Sequence, residues 1–551
     1  MRRASALDAE ETLRKRVKTR FLGNRSSAQD IHTDFKISQA AGARGSEDLL
    51  RTNPGKNSKR DLLNKCLKDN EWPGLYWAEI PLLDLKTKGT KMTWVPFLLP
   101  HEWLPLYVKQ KGAVADLEVE EIEMQQRLNA LASQLRAGWL VPLGLHGDGV
   151  PIGGNMTPDS LDCFNVNMIS SAKHSHLRVP FVCMQLKHCL PQATFDAIVQ
   201  VFCWSMRCLA AGQKPTCRHD GSPWLSSDKH REFKPEKGGL GVQAVLAEIR
   251  GDWKFLQKLL KFPQWNELTG LCWLCKCTRK EMSTLDTANA RWRFQRLLPG
   301  EFLQQCRAQG KPICELFTLP GVAAELIYPD WMHSGDMGVA QDVAGHVFQE
   351  TLSRFPGRNK EQRCAQLWLF LQQWYKDSKI EADRRLQTLH LADWQRDKQP
   401  NKLRSKAAHA RTLVPFLPVL AKHAAPDTER ARVCTATAEW LAECYRLQDQ
   451  APCPALAQAS RKFANSYCAL HELIAQDFET QEWHIKPKLH LFQELCEYSS
   501  RNPRDFWCYK DETFGNICAG FARRHGGPDR PGHNTQMVLQ AWCCSEPLPR
   551  P

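Results

Sequence analysis

Leu140-Val141-Pro142-Leu143-Gly144-Leu145-His146-Gly147-Asp148-Gly149-Val150-Pro151-Ile152 is the stretch on which the reading of this chain turns. An apolar run ends on an aspartate between two glycines, and Pro151 stops any continuation. The pattern predicts a short buried strand that carries a carboxylate to its end, where glycines let a second backbone or a ligand come close. Two later stretches present acids in the same way. Val242-Gln243-Ala244-Val245-Leu246-Ala247-Glu248-Ile249-Arg250-Gly251-Asp252 is a second apolar run that ends on an aspartate. Tyr509-Lys510-Asp511-Glu512-Thr513-Phe514 opens a helix near the end of the sequence.

Between the two aspartates the periodicity changes twice. Leu161–Met168 alternates roughly with period two, Arg178–Leu186 is a further strand-like run, and the short connections predict an antiparallel meander. Thr194–Ala211 has helical spacing with Thr194 as a cap, and the strand into Asp252 follows a Gly238-Gly239 turn. Three antiparallel strands, a helix and a fourth strand is the order of a ribonuclease-H-like α/β core. In that arrangement the fourth strand returns beside the first, so Asp148 and Asp252 become neighbours. A generic α/β domain with unrelated surface acids would give the same local patterns.

The remainder divides by composition. Residues 1–70 read as a disordered basic leader containing Arg14-Lys15-Arg16-Val17-Lys18-Thr19-Arg20. Residues 71–139 form a mixed and helical region, with an amphipathic helix at Ala115–Ala137 whose apolar face is Leu117, Ile122, Leu128, Leu131 and Leu135. The first part of the core occupies 140–265, a large helical insertion 266–482, the C-terminal part of the core 483–527, and a flexible Pro/Gly-rich tail 528–551.

At 551 residues the chain exceeds what one core normally holds, and its 42% apolar and 24% charged content suits a globular protein. No apolar run reaches the roughly 18 residues a membrane span needs, and no signal-like apolar core follows Met1. The 22 cysteines therefore read as thiols, and most sit singly in apolar runs. A net charge of +14 suits a polyanionic partner, although a merely basic surface has the same composition.

Three further groups bear on chemistry. Cys272 and Cys275 have the spacing of half a zinc site, with Cys277, His333 and the His484/His490 pair as possible completing ligands, and His333 taken first. Asp330 and His333, three apart, could share one metal or one hydrogen bond, and a bond that orders a helix start is the plainer account. Lys486, Lys488, Arg523 and Arg524 place positive charge on both sides of Glu512, with Trp483, Trp507 and Tyr509 between them. Such a mixture suits a DNA backbone.

Taken in order, these features resemble the eukaryotic cut-and-paste DNA transposases with a DDE triad, most closely the CACTA-type and Plavaka-type group. The likeness spans roughly residues 140–525. It is carried by Leu145–Gly149, by Gly251-Asp252 through Cys272 and Cys275, by Asp330 with His333, by Lys486-Pro487-Lys488-Leu489-His490, and by Glu512. The resemblance implies that Asp148, Asp252 and Glu512 hold Mg²⁺ or Mn²⁺ as a two-metal site for DNA strand cleavage and transfer. It also implies transposon ends and target DNA as partners, a nuclear location and a homodimer. The third acid stays open among Asp511, Glu512, Glu494 and Glu497. An inactive, domesticated DNA-binding descendant, or a nuclease acting on RNA, would carry the same features. No N-terminal DNA-binding zinc finger is visible.

Overall fold

The structure, a computed structural model, describes residues 28–40 and 71–545, apart from 112–118, 120, 154–158, 170–176, 235–237, 265–266, 268–270, 397–398, 476–481 and 526–529. The basic cluster at 14–20 and most of the expected leader lie outside these residues.

A helix at Ala28–Ala40, with Ile31 buried, opens the described residues and departs from the disorder expected of residues 1–70. A hairpin of β1 (Tyr76–Leu83) and β2 (Thr90–Phe97) follows, and then helices α1 (Pro100–Lys111) and α2 (Ile122–Leu135). The central sheet is built from β3 (Val141–Pro151), β4 (Ser160–Met168), β5 (Arg178–Gln185) and, beyond α3 (Ala193–Ala211), β6 (Ala244–Arg250). Its order is β5-β4-β3-β6, antiparallel except for the β3–β6 pair, which is parallel. The fourth strand thus lies beside the first, as the order of patterns predicted. The chain is mixed α/β with a small mixed sheet.

The period-two alternation of the strands decides what covers each face. Gly147 of β3 and its partner Phe164 of β4 face Phe255 of α4 (Trp253–Leu260) and Phe195 of α3. His146, Asn165, Asn167 and Arg250 project from the other face toward a helix supplied from the far end of the sequence.

Between α4 and that helix the chain is largely helical. Met332–Ala340, wound as a π-helix, runs directly into α5 (Gln341–Leu352). Then come α6 (Lys360–Asp377) and the packed pair α7 (Glu429–Leu447) and α8 (Pro454–Ala475), followed by α9 (Pro487–Tyr498). The chain returns to the sheet as α10 (Tyr509–His525), which lies on β3, β4 and β5.

Several boundaries differ from expectation. Of the helix expected from Ala115, the described part begins at Ile122, whose side chain is 68% exposed, and Met124 joins Leu128 and Leu131 in the buried stripe. Thr194 does not cap α3. Its hydroxyl donates to the Pro81 carbonyl at 2.6 Å and ties the helix to β1. The tail expected to be flexible contains α11 (Pro531–Ser545), packed on β2, β5 and α10 with Met537, Val538, Ala541 and Trp542 buried. Pro531 sits at its first position, where a missing N–H costs nothing.

Candidate metal centre

The parallel register of β3 and β6 aligns His146 with Arg250, so Asp148 and Asp252 each lie two residues beyond a paired position. Asp148 is inside β3, opposite Cys163, rather than at the strand's end. Asp252 caps α4, its Oδ1 accepting from the Phe255 N–H at 2.6 Å. Two glycines allow this closeness. A Cβ at Gly147 would fall 2.0 Å from the Phe255 ring, and one at Gly251 would fall 2.4 Å from it.

Glu512 comes from the first turn of α10, and the preceding residue fixes how that turn sits. Asp511 is fully buried against the sheet, accepting from Arg178 Nε and Asn167 Nδ2, both at 2.7 Å, with Arg250 3.6 Å away. Burial pushes the Asp511 pKa up, but His146, Arg250 and Arg178 outweigh this and hold it at about 2. Successive helical residues are about 100° apart, so with Asp511 on the sheet Glu512 turns toward Asp148. Gly515, one turn on, brings α10 against β3, since a Cβ there would lie 2.8 Å from Val150.

The third contributor is His333. Its Nδ1 lies 2.7 Å from Asp330 Oδ2, and its backbone N–H donates to the same oxygen at 2.8 Å. This is the hydrogen bond that orders the start of the Met332–Ala340 segment. Asp330 Oδ1 accepts from the Cys508 N–H at 2.9 Å, and Lys488 Nζ donates to the His333 carbonyl at 2.9 Å. Thus fixed, the imidazole presents Nε2 at 3.4 Å from Glu512 Oε1. One ligand atom each from Asp148, His333 and Glu512 lies within 4.8 Å of the other two. Asp252 stands outside that trio but near enough for its charge to act on both Asp148 and His333.

The electrostatics of the cluster follow from these neighbours. Burial, then the hydrogen bond and negative charge of Glu512, push the Asp148 pKa up to about 8. Burial would lower the His333 pKa, but bonds to Asp330 and Glu512 and the charge of Asp252 carry it up to about 10. Burial likewise raises Glu512, yet His333 and Asp148 together bring it down to about 2. Asp148 and the buried His333 imidazole, crowded with an ionised Glu512, retain protons that an ordinary surface would release. That is the electrostatic state a divalent cation relieves.

His333 therefore belongs with the carboxylates and not with the cysteines, which corrects the expected set Cys272, Cys275 and His333. A second group joins the start of the insertion to α9 just beyond its end: Cys272, Cys275, His490 and Glu494, all buried and with ligand atoms within 4.8 Å. Cys275 Sγ lies 3.5 Å from His490 Nε2, and Glu494 lies 3.5 Å from the same nitrogen and 2.8 Å from Arg296. Glu494, like Glu497, which pairs with Arg293 and Arg461, is thereby placed away from the trio. Both groups are of a kind that could hold a metal ion.

The basic residues divide. Lys486 is half-buried against Asp342 at 3.0 Å, and Lys488 also faces inward, where burial and then Lys402 lower its pKa to about 8. Arg523 and Arg524 are exposed, with Arg523 donating to the Pro151 carbonyl at the end of β3. No described helix is long and apolar enough to cross a membrane. No protein-family model matches this chain, and no curated protein matches it either.

Proposed function

We propose that the sheet with its flanking helices is a ribonuclease-H-like catalytic core of a DDE transposase-like protein, which cleaves and transfers DNA strands with divalent metal. The observation that carries the reading is the arrival of Glu512 beside Asp148, from across an insertion of more than two hundred residues, where Asp252 stands on the adjacent strand's exit. An arrangement assembled from three distant segments favours a purpose for the carboxylates over chance surface acidity.

Asp148 and Glu512, with Asp252 alongside, would hold Mg²⁺ or Mn²⁺, since an oxygen-rich donor set suits hard cations. Bound there, the metal would activate the attacking hydroxyl and stabilise the departing 3′ oxygen of a phosphodiester. The chain's own groups supply placement. Asp511 anchors α10 to the sheet, Asp330 orients His333, and the exposed Arg523 and Arg524 offer phosphate contacts near the end of β3.

For the second group we infer structural zinc. Two thiols, an imidazole and a carboxylate in a dry interior form a tetrahedral zinc donor set, with His490 Nε2 3.5 Å from both Cys275 Sγ and Glu494. Burial first, and then neighbouring thiol or carboxylate groups, hold the Cys272 and Cys275 thiols well above their usual pKa without a cation to offset this. Elemental analysis of the purified chain is expected to give about one zinc per molecule. Cys272→Ser should lose it, and a wild-type chain free of zinc would contradict the assignment.

Catalysis is tested by incubating the full chain with labelled duplex DNA and Mg²⁺ or Mn²⁺. Cleavage that leaves 3′-hydroxyl ends is expected, reduced at least about 100-fold in Asp252→Asn with DNA affinity within about threefold. Wild-type cutting by that variant would remove Asp252 from the site. Salt-sensitive binding with no cutting by either protein would favour the inactive DNA-binding descendant.

A further inference from the structure

We infer that His333 is itself a metal ligand, held for that role by Asp330, and that it biases the centre toward Mn²⁺ over Mg²⁺; this rests on the proposal that Asp148 and Glu512 bind a divalent cation. The acids alone make an oxygen site. The imidazole adds a nitrogen, and its placement is specific. Nε2 is 3.4 Å from Glu512 Oε1 and within 4.8 Å of an Asp148 oxygen. Two ligands bound side by side on one ion, each roughly 2.1–2.2 Å from it, stand about 3 Å apart. For the His333–Glu512 pair that approach needs only about 0.4 Å of movement.

The imidazole's other nitrogen has the support that a ligating histidine usually has. Nδ1 faces Asp330 Oδ2 at 2.7 Å, so the proton on that side is committed to the carboxylate and Nε2 is the atom offered to the cluster. Asp330 is in turn unable to rotate away. It is 5% exposed, one oxygen takes the His333 N–H and the other takes the Cys508 N–H. The ring is thus oriented by a carboxylate that is itself held at both oxygens.

The consequence is a preference among metals. Mg²⁺ demands near-ideal oxygen geometry and resists giving up water, whereas Mn²⁺ accepts imidazole together with carboxylates. Removing the orienting carboxylate should weaken metal binding without removing a ligand, by roughly ten- to a hundredfold.

The test uses the full chain and Mn²⁺ as probe, with pulsed electron paramagnetic resonance to detect directly bonded nitrogen and calorimetry to measure affinity. The wild type should show ¹⁴N coupling to the bound Mn²⁺ and prefer Mn²⁺ to Mg²⁺ by about tenfold or more. His333→Asn should lose the coupling and about tenfold in Mn²⁺ affinity, with Mg²⁺ affinity changed by less than about threefold. Asp330→Asn should keep the coupling but bind about tenfold more weakly. Mn²⁺ bound through Asp148 and Glu512 with no nitrogen coupling in the wild type would overturn the role of His333 and leave the carboxylate centre standing. Mn²⁺ binding insensitive to Asp148→Asn and Glu512→Gln would overturn both.

Discussion

Asp148 and His333 take up protons more readily in the folded chain than in the unfolded one, and the sign of the pH dependence follows. Asp148, raised to about 8, opposes folding increasingly as pH climbs from its unfolded value of 3.8. The stability His333 adds is present below its unfolded value of 6.5 and is lost as pH rises toward about 10. The metal-free protein should therefore lose thermal stability between about pH 5 and pH 9. Asp148→Asn should raise its unfolding free energy at pH 8 by on the order of a few kcal/mol, and the two proteins should converge near pH 4. A variant less stable than wild type at pH 8 would contradict this. Asp511 has the opposite sign. Held at about 2, it stabilises the fold above pH 4 and loses that contribution as pH falls through 2. Asp511→Ala removes the buried carboxylate that Arg178 and Arg250 share and should cost about 3 kcal/mol in denaturant unfolding.

At the scale of elements, the junction of β3, β6 and α4 is what sets the spacing of the two aspartates. Phe255 lies over Gly147 and beside Gly251, so any Cβ there must displace an aromatic ring. Gly147→Ala should destabilise the chain by about 1–3 kcal/mol, as overpacking does, and weaken metal binding by shifting Asp252. An unchanged melting temperature would show that the ring is free to move. This junction was legible in the sequence, because an apolar run closed by glycine and aspartate is a local signal. Glu512 against Asp511 was not. Both open the same helix, and only the sheet, with Arg178 and Arg250 waiting on it, decides which of the two turns inward. His333 and His490 were both among the candidates, but which cluster each joins, and the part of Glu494, were hidden for a related reason. Their contacts span well over a hundred residues, and no periodicity records them. The helix Pro531–Ser545 was masked by the Pro and Gly before it, although its buried Met537, Val538, Ala541 and Trp542 carry helical spacing.

The whole molecule joins a small sheet to a long helical insertion at two clusters of ligand-type residues, one rich in carboxylate and one in thiol. Asp336 also ties α7 to α10, accepting the hydroxyls of Tyr445 and Tyr509, both at 2.7 Å, with the Arg411 guanidinium 3.6 Å away. Lys486 and Lys488 are engaged internally, so in the proposed complex with DNA the phosphate contacts fall to the exposed Arg523 and Arg524. Replacing both with Ala should lower DNA affinity alike for all sequences and shallow its salt dependence by about two phosphate contacts. A sequence-selective loss would speak against that role.

The central claim is that Asp148, Glu512 and Asp252 form one metal centre, and anomalous diffraction from Mn²⁺-soaked crystals tests it most directly. The account predicts manganese peaks bonded to Asp148 and Glu512, with Asp252 coordinating the same ion or a second one beside it. Crystals in which those three carboxylates stay apart and bare, while manganese binds elsewhere or nowhere, would contradict it.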